Sequence, residues 1–94
     1  MGTSKSENST LRRKGVPLTI FLSSSLRQYI PGYDPSSGLE LKGVKGISIA
    51  DLCQKLGIPT DKIKIVMVNG RKEDMNYMIQ GNERLGFFPP VGGG

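Results

Sequence analysis

The chain has 94 residues and a formal charge of +5 at pH 7; 36% of it is hydrophobic, with one cysteine and no histidine. That size permits one domain with one modest core. Without histidine, Ser-His and Cys-His nucleophile pairs, imidazole bases and His-containing metal sites are excluded, and the lone Cys53 excludes an internal disulfide.

No apolar run approaches the roughly 20 residues of a membrane span, and no apolar block near the start has the form of a signal peptide. The expectation is a soluble, cytoplasmic, non-catalytic domain with no bound cofactor, no metal and no membrane contact. Residues 1–15 carry Lys5, Arg12, Arg13 and Lys14 against Glu7, so most of the net charge sits there. They are polar and nearly free of apolar side chains, which reads as a flexible basic leader. Within it, Gly2 with Ser6 and the Asn8-Ser9-Thr10 sequon are short patterns attributed to chance. Residues 16–94 are nearly balanced and lack a basic stripe interleaved with aromatics, so nucleic acid is not the expected partner.

Val16, Leu18, Ile20 and Leu22 alternate with Pro17, Thr19, Phe21 and Ser23, the period of a half-buried strand. Residues 23–38 read as a long loop with turn signals at Pro31-Gly32 and Asp34-Pro35 and a short helical turn over Leu26–Tyr29. Tyr33 either caps this loop or touches a partner. Leu39–Lys42 and Lys45–Ser48 read as short strands. Ser48 then caps a helix whose Ile49, Leu52, Cys53 and Leu56 form one apolar stripe, with Asp51 in the first turn, Lys55 in the last and Gly57 as the stop. Cys53 on that stripe reads as a buried, inert thiol. Ile63–Val68 is a strand ended by an Asn69-Gly70 turn. Met67, Met75 and Met78 read as core filler, and Glu73-Asp74 as solvated. Arg84–Phe88 is the last strand, and Pro89-Pro90 stops it because proline cannot donate to a ladder.

The order strand, strand, helix, strand, strand requires the short helix to pack across the sheet. The expected class is α+β, a mixed four- to five-stranded sheet on one main helix. The domain is read as residues 16–88, with an arm over 89–94. Phe87 and Phe88 point to opposite faces, so one is core; the other, with Phe21, is a candidate apolar patch for a partner, and Arg71 is a candidate contact for an acidic one.

The most informative segment is Phe87-Phe88-Pro89-Pro90-Val91-Gly92-Gly93-Gly94. Glycines leave no side chain to obstruct a narrow channel, and two prolines stiffen the base of the arm. Six residues extend to about 20 Å. Such an arm suits a domain whose working group is its own terminal carboxylate.

This terminus, together with Ser25-Leu26-Arg27, Ser48-Ile49-Ala50-Asp51-Leu52 and Val68-Asn69-Gly70, resembles the ubiquitin-like β-grasp sulfur carriers. The nearest branch is the small subunit of molybdopterin synthase, with the thiamine sulfur carrier a close relative. The resemblance implies a β-grasp fold and Gly94 as the functional residue, with Pro89, Pro90, Val91, Gly92 and Gly93 as its arm. It implies that a ubiquitin-activating-type adenylyltransferase uses ATP to adenylate Gly94 and that a sulfurtransferase supplies the sulfur of a thiocarboxylate. The molybdopterin synthase large subunit would then receive that sulfur. Gly81-Asn82-Glu83 stands where the family usually has an Asp-Gly-Asp turn; Asn82 is expected to tolerate the left-handed conformation there. Three functions stay open on sequence: a sulfur carrier, a ubiquitin-like modifier joined through Gly94 to lysines, and a passive binding module.

Overall fold

A computed structural model describes residues 17–90; the leader over 1–15 and Val91, Gly92, Gly93 and Gly94 of the arm lie outside the described residues. Alternation over Leu18–Leu22 sets strand β1, whose Leu18, Ile20 and Leu22 are all buried. The Asn69-Gly70 turn joins β3 (Ile65–Val68) to β4 (Arg71–Glu73), with φ of 51° and 83°, so both central residues are left-handed as a tight two-residue hairpin requires. Strand β2 is Leu39–Leu41 and β5 is Arg84–Phe88. The sheet has five strands in the order β2-β1-β5-β3-β4. Only β1 and β5 run parallel; the other three pairings are antiparallel.

Helix α1 spans Ile49–Leu56. Ser48 Oγ accepts from the Asp51 amide at 3.1 Å, and Gly57 ends the helix at φ 80°. The Gly57 amide donates to Gln54 and the Ile58 amide to Cys53, which satisfies the last carbonyls. Ile49, Leu52 and Cys53 join Leu18, Ile20, Val66, Leu85 and Phe87 in a single core. Burial pushes the Cys53 thiol up to about 11, in keeping with an inert side chain.

The sixteen-residue connection after β1 is ordered by specific contacts. It opens with a 3-10 helix over Ser24–Tyr29 that buries Leu26. Beyond Ile20, β1 has no β2 residue opposite it, and side chains take over its edge. The Leu22 amide donates to Tyr33 Oη at 2.8 Å, while Arg27 Nε donates to the Leu22 carbonyl at 3.0 Å. Tyr33 is therefore a cap of the loop. Tyr33→Phe strands a buried donor, and urea unfolding is expected to report a loss of about 1–3 kcal/mol.

Several local expectations are corrected. Lys45–Ser48 is not a strand; it contributes one bridge, Ser48 to Met78, flanked by hydrogen bonds between Gly46, Ile47 and Ile79. Met78 is half exposed and Met67 lies on the open face of the sheet, so of the three methionines read as core filler only Met75 packs against the core. In the turn before β5 the left-handed residue is Gly81, at φ 114°, not Asn82. A Cβ there would lie 3.1 Å from the Val44 carbonyl oxygen, so glycine meets both demands.

Candidate functional site

The strand order places β5 in the middle of the sheet, so the C-terminal arm leaves from its centre. Because β1 is parallel to β5, the end of β1 lies beside the arm's root; because β3 is antiparallel, the start of β3 lies on the other side. The Ser23 amide donates to the Phe87 carbonyl at 3.2 Å, and the Lys64 amide donates to the Phe88 carbonyl at 2.7 Å. Both neighbours thus grip the last two residues of β5. Pro89 and Pro90 offer no amide hydrogen, and the ladder stops.

Phe87 and Phe88 do point to opposite faces. Phe87 is fully buried, so its expected part in partner docking is corrected: its ring fills the core under α1 and cannot meet another protein. Phe88 is exposed on the open face, where Gly86 leaves room for it; a Cβ on Gly86 would come within 3.3 Å of the Phe88 ring. Ile65 is its register partner on β3 and is also exposed.

Phe21 faces the same side, opposite Gly86 on β5. It is half-buried: Gly38 packs against its ring edge, and the Arg84 guanidinium lies over the ring, 4.6 Å from its centroid. Arg71 does not join this group. Its partner across β3–β4 is Val68, a core-facing residue, whereas Lys72 pairs with Met67 and shares the open face. Arg84, over Phe21, and Lys72, opposite Met67, bring basic side chains to this open face.

One polar centre has no counterpart in the sequence reading. Glu83, read there only as part of a turn, is 2% exposed. Its carboxylate accepts from Tyr77 Oη at 2.8 Å, the Gln80 amide at 2.7 Å and the Gly81 amide at 2.9 Å. Burial raises its pKa, but the hydrogen bonds from Gln80, Gly81 and Tyr77 lower it more, and the net position is below the usual carboxylate value. The same bond to Glu83, with burial second, pushes Tyr77 up to about 12. The network pins the irregular connection between β4 and β5 and thereby the start of the strand that bears the arm. A lone glutamate two residues after a glycine carries no sequence signal for such a role.

A five-stranded mixed sheet crossed by one main helix, with its central strand running out into a Pro-Pro-led glycine terminus, is a ubiquitin-like β-grasp domain. The family profile described as Mut7-C ubiquitin matches residues 15–91, and the chain belongs to that family. Gly92, Gly93 and Gly94 follow the matched span. The structure is also similar to the solution structure of Urm1 from Trypanosoma brucei, with a TM-score of 0.62 and 18% identity over 83% of this chain and 95% of that one. At that identity the likeness speaks for the fold. No curated protein matches the sequence. Among the described residues, no group of three or more His, Cys, Asp or Glu side chains is placed to hold a metal ion, and no helix is long and apolar enough to cross a membrane.

Proposed function

We propose that this protein is a sulfur carrier whose Gly94 carboxylate is the working group. The observation that carries the reading is the arm's root: the central strand is held from the β1 side at Phe87 and from the β3 side at Phe88, and six residues, Pro89–Gly94, follow the last ladder bond in sequence. Extended, they span about 20 Å, enough to deliver the carboxylate into a partner's active site while the sheet stays on its surface.

The chemistry needs no acid or base from the carrier. An adenylyltransferase joins the Gly94 carboxylate to the AMP moiety of ATP and releases pyrophosphate, which turns a poor electrophile into an acyl group with a good leaving group. A persulfide on a sulfurtransferase attacks that carbonyl; the C–S bond forms and AMP leaves. A second thiol of the donor cleaves the resulting S–S bond, which frees the thiocarboxylate and leaves a disulfide on the donor. The thiocarboxylate then gives its sulfur to an acceptor, here read as the molybdopterin precursor held by a synthase large subunit. The partner enzymes bring the catalytic groups and the nucleotide, and a cytoplasmic setting supplies the ATP.

Phe88 and Ile65, with Phe21, Arg84 and Lys72 further along the same open face, are the surface on which the activating enzyme is read to dock. Removing Gly93 and Gly94 is expected to abolish adenylation while leaving the thermal unfolding transition unchanged, measured by ATP–pyrophosphate exchange with the activating enzyme. Full exchange by the shortened chain sinks the reading. The ubiquitin-like family favours a second use of the same acyl group, an isopeptide bond to target lysines. Conjugates that survive thiol reductants distinguish it.

A further inference from the structure

Register lines up Phe21, Gly86, Met67 and Lys72 in one row across β1, β5, β3 and β4 on the open face. The row spans three strand spacings, about 14 Å. A cation stands at each end: the Arg84 guanidinium over the Phe21 ring, and the exposed Lys72 on β4. The middle is apolar, Gly86 and Met67, and the exposed pair Phe88 and Ile65 lies in the next row. The acid that register places on this face, Glu40, sits apart, opposite Thr19 on the edge strand β2.

Arg84 is held in place before any partner arrives. Its amide donates to Asn69 Oδ1 at 2.9 Å, and its carbonyl accepts from the Asn69 amide at 2.9 Å. Its guanidinium lies 4.6 Å from the Phe21 centroid. A planar cation held against a ring keeps N–H donors for a carboxylate and loses little freedom on binding. A nucleic acid calls for a continuous basic stripe and open rings on which bases stack. Here apolar surface separates the two cations, and Arg84 covers Phe21.

We propose that this row docks an acidic protein surface. A carboxylate of the activating enzyme pairs with Arg84, a second acid lies near Lys72, and apolar side chains rest on Met67, Phe88 and Ile65. This pairing rests on the reading that an activating enzyme docks here, and it requires acids on that enzyme's matching surface. Arg84 supplies more of the affinity, because its planar fork meets a carboxylate through two parallel bonds, whereas Lys72 mainly speeds association.

The test is calorimetric titration of the full 94-residue chain into the activating enzyme of its host, without nucleotide, at low and at high salt. Arg84→Glu is expected to weaken binding at least about thirtyfold and Lys72→Glu about threefold. Arg71→Glu, the same charge change on the opposite face, leaves the affinity unchanged. High salt weakens the native chain more than Arg84→Glu. In the Arg84→Lys variant a carbodiimide is expected to join the new amine to an Asp or Glu of the enzyme, located by peptide mass. Equal affinity for Arg84→Glu and the native chain overturns the proposal and leaves adenylation of Gly94 untouched. So does the absence of a cross-link from position 84 in a variant that still binds. A native chain that binds through Arg84 yet is never adenylated sinks the sulfur-carrier reading and keeps this surface. A native chain without affinity for the enzyme overturns the surface too, and affinity for an oligouridylate probe then assigns the face to nucleic acid.

Discussion

Phe87→Ala is expected to lower the unfolding free energy by about 3–5 kcal/mol, the cost of deleting a buried aromatic ring and leaving a cavity. The ring is fully buried and belongs to the central strand, opposite Leu22 of β1 on one side and Val66 of β3 on the other. Core side chains from both neighbouring strands and from α1 therefore close around it. A domain of this size has a total stability near the low end of about 5–15 kcal/mol, so the variant should be partly unfolded at ambient temperature. Phe88→Ala is the control: its ring is already 38% exposed on the opposite face, and the expected loss is under about 1 kcal/mol. Urea titrations of both variants check the pair. Similar losses for the two would contradict the assignment of Phe87 to the core and Phe88 to the open face.

Glu83→Ala is expected to cost about 2–4 kcal/mol, because hydrogen bonds to a charged acceptor are strong and their donors lose it together. Two backbone amides and the Tyr77 hydroxyl have no replacement in the folded connection. The pH dependence separates this from simple loss of packing. Glu83 has a folded-state pKa below its ordinary value, so its ionised form favours folding. Its contribution is present above the ordinary carboxylate pKa near 4.5 and is lost as pH falls through the lower folded value. Tyr77 has the opposite sign. Its pKa is raised from 10.0 to about 12, so its contribution is present below pH 10 and is lost as pH rises through 12. The melting temperature of the native chain should therefore fall on both limbs. Glu83→Gln should flatten both limbs, since it removes the titrating carboxylate and the charge that holds the Tyr77 proton. Unchanged limbs in that variant would show that other groups set the pH response.

The elements that carry apolar periodicity were legible from the residues. β1, α1 and β5 follow from alternation and from the Ile49, Leu52, Cys53, Leu56 stripe, because burial of one face demands that spacing. The caps at Ser48 and Gly57 and the Asn69-Gly70 turn follow from backbone requirements that few residues meet. Strand β4 is different. Arg71-Lys72-Glu73 is a charged edge strand, held by pairing with β3 and shielded from further pairing by its charges, so neither hydrophobic pattern nor propensity marks it. The Lys45–Ser48 segment has the opposite fate: its residues suit a strand, but only Ser48 finds a bridge partner, at Met78. At the site, Pro89-Pro90 marked the end of β5, and the alternation of Phe87 and Phe88 required that one face the core. What stayed hidden depends on contacts distant in sequence: Arg84 over Phe21, Ile65 beside Phe88, and the three donors that converge on Glu83.

The central claim is that Gly94 carries sulfur, and intact mass tests it most directly. The protein is purified from its own host without thiol-reactive agents and weighed before and after incubation with ATP, its activating enzyme and a sulfur source. Replacement of one terminal oxygen by sulfur, about 16 Da heavier and absent from a chain lacking Gly94, is the predicted result. An unchanged mass under conditions where the same enzyme forms the Gly94 adenylate would contradict the sulfur-carrier account and leave conjugation to lysines as the use of that carboxylate.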